Sequence, residues 1–217
     1  MQSDQDQPQD TAEAFAKLFE KALGYVPRAP IEDLNDGDYQ PRSLPPPVPH
    51  LLGMLDAPPR LVAHLALVHD AAMEIVEGLD GQFPQLDFDR SGVLFGAATH
   101  DLGKVEHASE LTGPGSQHEA TGPVILEAHG VPPQLARFAR THGAWSSQAL
   151  PLEDLLVALA DTVWKGQRMD ALESQVVEKI AGQTGVETWE SFAGLDCLLE
   201  GVASQGDERL AWQGRRN

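Results

Sequence analysis

Apolar residues recur at intervals close to 3.6 through positions 61–79, 93–102, 120–128, 133–142 and 152–164, the period of helices that set one face against a core. Five core helices are predicted there. Start signals agree with the periods: Asp89 and Ser91 stand before Val93 as capping residues, and Pro132-Pro133 stands before Leu135. Alternating strand patterns are scarce, so the expected fold is all-α. Further helical spacing flanks this block. Ala12, Phe15, Leu18, Phe19, Ala22 and Leu23 predict an amphipathic helix over 11–23, with Asp10 or Thr11 as its cap, and the spacing resumes at 174–181 and 188–203.

Between these elements the character changes. Positions 1–10 hold almost no apolar residue and are expected to be a disordered tail. Positions 25–49 are rich in Pro, Asp and Gly, and Pro45-Pro46-Pro47 favours an extended path, so this stretch is expected to be a linker or an arm wrapped on the domain. The resulting organisation is an acidic tail, helix and Pro-rich arm over 1–57, a single all-α domain over 58–213, and a frayed terminus at 214–217. A length of 217 residues suits one well-buried core. No repeat of fixed period is present.

Composition narrows the class. The apolar runs fall short of a bilayer span, and the N-terminus lacks the basic start and apolar stretch of a secretory signal, so no membrane partner and a cytoplasmic location are expected. Cys197 is the single cysteine, which excludes an internal disulfide and a cysteine-built zinc cluster. Any bound metal must use His and carboxylates. The formal charge of −18, from 15 basic and 33 acidic side chains, argues against an extended nucleic-acid surface. It leaves room for a small polyanion at a pocket where carboxylates hold cations.

The residues richest in chemistry are Thr99-His100-Asp101-Leu102-Gly103-Lys104, at the end of an apolar helix. Adjacent His and Asp do not share a helix face, but both reach one metal where a helix ends, and Gly103 permits such an ending. A His-Asp dipeptide is common by chance, so its weight comes from company. His64 lies on the core stripe of 60–79, His118 opens a helix after Gly113-Pro114-Gly115, and His142 closes the helix 133–142. Asp161 sits among Ala158, Leu159, Ala160 and Val163, where an unpaired carboxylate is costly to bury without a cation beside it.

This ordered set, with "AATHDLGK" at its centre and "ALADTVWKG" near its end, resembles the HD superfamily of metal-dependent phosphohydrolases, with leucine where the family usually has isoleucine. The resemblance covers about half of the chain, roughly 60–168, and implies an HD-like helical bundle. It implies that His64, His100, Asp101 and Asp161 ligate one metal, and that His118 and His142 belong to a second site bridged by Asp101. Many family members carry a pair of histidines where this chain has Thr141-His142. His69-Asp70 competes with His64 as the first ligand, but His69 points about 140° away on an ideal helix, and His64 is preferred. His107 and His129 are expected at the surface or behind the ligands. Asp101 and Lys104 are the expected catalytic residues. Arg60, Lys104, Lys165 and Arg168 are expected to bind substrate, while Trp145 and Trp164 are expected in the core or the pocket wall.

The resemblance implies one or two divalent ions, drawn from Mn, Fe, Ni, Co, Zn or Mg, and a metal-activated water attacking a phosphomonoester or a cyclic or linear phosphodiester. The expected partner is a phosphorylated small molecule, a nucleotide or RNA termini. The stretch "GPGSQHE" at 113–119 is similar to loops in HD modules fused to polynucleotide kinases of RNA repair, and is expected beside the site. An enzyme acting on free nucleotides is one alternative. A regulatory module that binds a nucleotide without turning it over is another.

Overall fold

The computed structural model describes residues 39–215, and among these the secondary structure is helical throughout, with no strand. The tail expected at 1–10 and the helix expected at 11–23 lie outside the described residues, as do the last two positions of the expected frayed end. The elements, in chain order, are α1 (Pro47–Met54), α2 (Pro59–Gln82), α3 (Arg90–Ala97), two short 3-10 turns (Leu102–Val105 and Ala108–Leu111), α4 (Gln117–Ala128), α5 (Pro133–Ala136), α6 (Phe138–Thr141), α7 (Leu152–Val163), α8 (Asp170–Thr184), α9 (Thr188–Ser204) and α10 (Gly206–Gly214).

The proline pairs set two starts in the same way. Pro58 is held extended by the proline after it, and Pro59 opens α2 at a position where no amide hydrogen is needed; Pro132 and Pro133 repeat this at α5. Asp89 caps α3, its Oδ1 accepting the Gly92 amide at 2.8 Å. At the end of α8, Gly185 adopts φ 72°, the left-handed conformation in which glycine has no side-chain penalty.

The 24-residue α2 is the axis of the fold, packed by α3, α7, α9 and α10. Leu61, Leu65, Leu67, Val68, Ala71, Ala72 and Ile75 are buried almost completely along it, and Leu155, Leu156 and Leu159 answer from α7. Each such leucine contributes roughly 1.5–3 kcal/mol relative to an exposed one. α3 packs on both α2 and α7, which also pack on each other, with Val93, Leu94 and Phe95 in the same core.

Three parts differ from expectation. α1 forms where an arm or an uncalled stretch was expected, using Pro47 in its first turn and burying Val48, Leu51 and Leu52. The helix expected over 133–142 divides into α5 and α6 at Arg137, whose guanidinium is tied to buried Asp154 at 2.9 Å. α10 forms where no helix was expected, and buries Arg209, Trp212 and Gln213. Arg209 is fully buried: it donates to Glu74 Oε1 at 2.6 Å, to the Val202 carbonyl at 2.8 Å and to the Tyr39 hydroxyl at 3.1 Å. Tyr39 in turn bonds Asp70, and the Arg42 amide donates to the same carboxylate at 3.0 Å. The described part of the Pro-rich segment thus lies along α2, clasped to α10 through one buried guanidinium.

Candidate metal centre

The site begins where α3 stops. The Ala98 and His100 amides close the last turn on Leu94 and Gly96, and the Thr99 hydroxyl bonds the Phe95 carbonyl at 2.8 Å, so the chain turns off with His100 and Asp101 on its inner side. Both are buried, at 0% and 2% exposure. Gly103 serves this turn through packing. A Cβ there would stand 2.1 Å from the His118 carbonyl and 2.8 Å from the Gly122 amide, so the 3-10 turn lies directly on α4.

His64 comes from α2, His118 from the first turn of α4, His142 from the residue after α6 and Asp161 from the last turn of α7. Their side chains converge on Asp101. His64 Nε2 lies 3.0 Å and His100 Nε2 3.7 Å from Asp101 Oδ2, while His118 Nε2 lies 3.1 Å and His142 Nε2 3.6 Å from Asp101 Oδ1. Asp161 Oδ1 completes the first group, 3.3 Å from His64 Nε2 and 3.4 Å from His100 Nε2. One carboxylate therefore faces two ligand sets, one with each oxygen.

The imidazoles are oriented from behind. His100 Nδ1 lies 3.0 Å from the Ala97 carbonyl and His142 Nδ1 3.2 Å from the Phe138 carbonyl. A carbonyl only accepts, so each Nδ1 carries the proton and each Nε2 presents a lone pair inward. His118 is held by a residue that periodicity does not reveal. Buried Glu110 accepts from His118 Nδ1 at 2.5 Å and from the Gln117 and His118 amides at 3.0 and 3.2 Å. Those bonds hold Glu110 down at about 2, which keeps it charged.

Electrostatics of the bare cluster favour positive charge within it. Burial opposes ionisation of Asp101 and Asp161, yet interaction with the surrounding imidazoles, His100 foremost, holds both carboxyls well below the usual range. Burial lowers His64, but attraction from Asp101 and Asp161 raises it to about 9. Burial, with the neighbouring His100, pushes His142 down to about 4.

Divalent cations fit this donor set. His64 Nε2, His100 Nε2 and Asp101 Oδ1 are buried with no hydrogen-bond partner, although each points into the cluster. Ligands about 2.1 Å from one ion, at tetrahedral or octahedral angles, stand roughly 3.0–3.4 Å apart. The observed separations cluster about that range. His64, His100 and Asp101 form one group able to hold an ion, and Asp101, His118 and His142 form another.

A partly open cleft of about 150 Å³ lies against the first group, lined by Arg60, Leu61, His64, Asp101, Lys104, Leu111, Trp164 and Gln213. Lys104 Nζ donates to Asp101 Oδ2 at 2.5 Å, and Arg60 Nε donates to the Leu111 carbonyl at 3.3 Å. Two of the expected substrate residues, Arg60 and Lys104, thus lie in the cleft wall, and two do not. Lys165 is outside that wall, and Arg168 is taken up by Glu173 at 2.7 Å and Asp196 at 2.8 Å. His69 is buried away from the cluster, and its Asp70 belongs to the Arg209 clasp. His107 bonds the Thr121 hydroxyl and His129 the Ile125 carbonyl, both outside the ligand groups. Trp164 stands in the cleft wall with its ring against His64, and Trp145 packs partly buried on the core.

Among the described residues no helix is long and apolar enough to cross a membrane. Neither the comparison with curated proteins nor that with solved structures gives a match. Residues 61–163 match the family described as HD domain, a span that contains every side chain of both ligand groups. The helical architecture, the convergence on Asp101 and this match agree: residues 61–163 are an HD domain of the HD superfamily.

Proposed function

We propose that the protein hydrolyses a phosphate ester of a nucleotide or other phosphorylated small molecule at a two-metal centre bridged by Asp101. The observation that carries this reading is the opening of the ligand cluster onto a cleft whose wall holds two cationic side chains, Arg60 and Lys104. His64, His100, Asp101 and Asp161 would hold one ion, and Asp101, His118 and His142 the other. When bound, the ions activate water and neutralise charge on the phosphoryl oxygens.

The chain's own groups do the rest. Asp101 is held charged by the surrounding imidazoles and orients the attacking water from the floor of the cleft. Glu110, Ala97 and Phe138 fix three imidazole rings, so the site is set before substrate arrives. Lys104, next to Asp101, meets the phosphoryl oxygens and stabilises the negative charge that grows on them. Arg60 is steadied by the Leu111 carbonyl and adds positive potential at the mouth. The apolar walls Leu61 and Leu111 limit competing water.

Purified protein loaded with Mn or Ni is to be assayed against para-nitrophenyl phosphate, bis-para-nitrophenyl phosphate and nucleoside monophosphates, beside Asp101→Ala and Lys104→Ala. Metal-dependent hydrolysis that Asp101→Ala abolishes is expected, with Lys104→Ala lowering kcat. Absence of turnover on every substrate, or full activity in Asp101→Ala, contradicts the reading.

A further inference from the structure

The metal ligands and the cleft walls come from different parts of the chain. The ligands all lie within 61–163, whereas Arg60, Trp164 and Gln213 in the cleft wall lie outside that span. Gln213 is the farthest from it in sequence, on α10. Its side chain is buried, with 9% exposure, it lines the cleft beside His64 and Lys104, and its amide makes no hydrogen bond to the described residues. An amide that lines a cleft with no protein partner is free to bond a ligand there.

Its position is fixed from behind. Arg209, one helical turn earlier and therefore on the same face of α10, is locked to Glu74, Val202 and Tyr39. Glu74 stands on α2, the helix that also carries Arg60 and His64, so α10 is registered against the element that builds the site. The amide end of Gln213 is thus held at the cleft by a clasp that takes no part in metal binding.

We infer that Gln213 is a substrate-specificity residue, reading a hydroxyl group on the leaving alcohol of a small polyol-type or sugar-type phosphate monoester. This rests on the phosphohydrolase reading above. An amide both donates and accepts, which matches a hydroxyl and offers nothing to a plain hydrocarbon. The size of the cleft agrees. Sites that enclose drug-sized ligands span roughly 300–1,000 Å³. About 150 Å³ accommodates a phosphoryl group and a few further heavy atoms. Leu61 and Leu111 pack the carbon chain, Lys104 and Arg60 hold the phosphoryl end, and Gln213 meets the hydroxyl. The charge of −18 disfavours a long polyanion as the natural occupant.

The test is calorimetric binding of two non-hydrolysable probes to the Mn-loaded protein, 3,4-dihydroxybutylphosphonate and butylphosphonate, which differ by two hydroxyls. Wild type is expected to bind the dihydroxy probe about tenfold tighter, the discrimination that one or two hydrogen bonds give. Gln213→Ala is expected to erase the preference while leaving metal content and butylphosphonate affinity unchanged. Gln213→Glu, which keeps the shape, is expected to weaken both probes through charge repulsion. No preference in wild type, or a preference kept in Gln213→Ala, overturns the inference. Binding does not require turnover, so the two readings part cleanly. Discrimination without hydrolysis leaves Gln213 in place and removes the enzyme, and hydrolysis without discrimination does the reverse.

Discussion

Glu110 Oε2 stands 2.5 Å from His118 Nδ1, a buried carboxylate fixing the ring of a buried imidazole. The same carboxylate also accepts the first amides of α4, so it sets both the start of the helix and the tautomer of the ligand. Glu110→Ala is expected to cut affinity for the second ion by roughly 10–100-fold, the usual consequence of losing such support. The first ion should remain. Glu110→Gln, which keeps an acceptor, should recover part of the loss. Metal titration followed by mass spectrometry of the native protein checks the order.

Gly103 tests the contact between the 3-10 turn and α4. A methyl group there meets the His118 carbonyl and the Gly122 amide, which are backbone atoms that cannot rotate aside. Gly103→Ala should destabilise the fold by about 1–3 kcal/mol, the range for forced overpacking. It should also move His118 and weaken the second ion before the first. Denaturant melts and metal content of the same sample measure both effects.

The metal-free protein should show a stability maximum near neutral pH. His64 is raised from 6.5 to about 9, so its contribution is complete below pH 6.5 and is lost as pH rises through about 9. His69 and His142 are lowered to about 4, so theirs is complete above pH 6.5 and is lost as pH falls through about 4. Loading with metal requires deprotonated His64, so the alkaline decline should disappear and metal affinity should climb from pH 6.5 to about 9. Urea midpoints across this range, with chelator and with added metal, give the two curves.

The core was legible because burial imposes a period. α2, α4 and α7 fall close to their apolar stripes, and His64 is preferred to His69 because its spacing to Val68 and Ala72 resembles the family's first helix, with His69 turned about 140° away. Asp161 declared itself by being a carboxylate among alanines and leucines. What escaped is what periodicity does not encode. Glu110 acts because a 3-10 turn folds back on the start of α4, a contact between neighbours in space with no repeating signature. Gly103 reads as a helix-ending residue, but its work is to let two backbones touch. Arg168 has the spacing of a substrate residue, yet Glu173 and Asp196 claim it from α8 and α9. α10 was hidden because its apolar face is short and its main anchor is a buried arginine, an unusual core residue.

The central claim is that Asp101 joins two ligand sets into one centre. Metal content per chain, measured on wild type, His118→Ala and Asp101→Ala after loading with Mn and removal of free ion, addresses it most directly. The account predicts two ions in wild type, one in His118→Ala and none in Asp101→Ala. Equal metal content in all three proteins, or no metal in any, would contradict it.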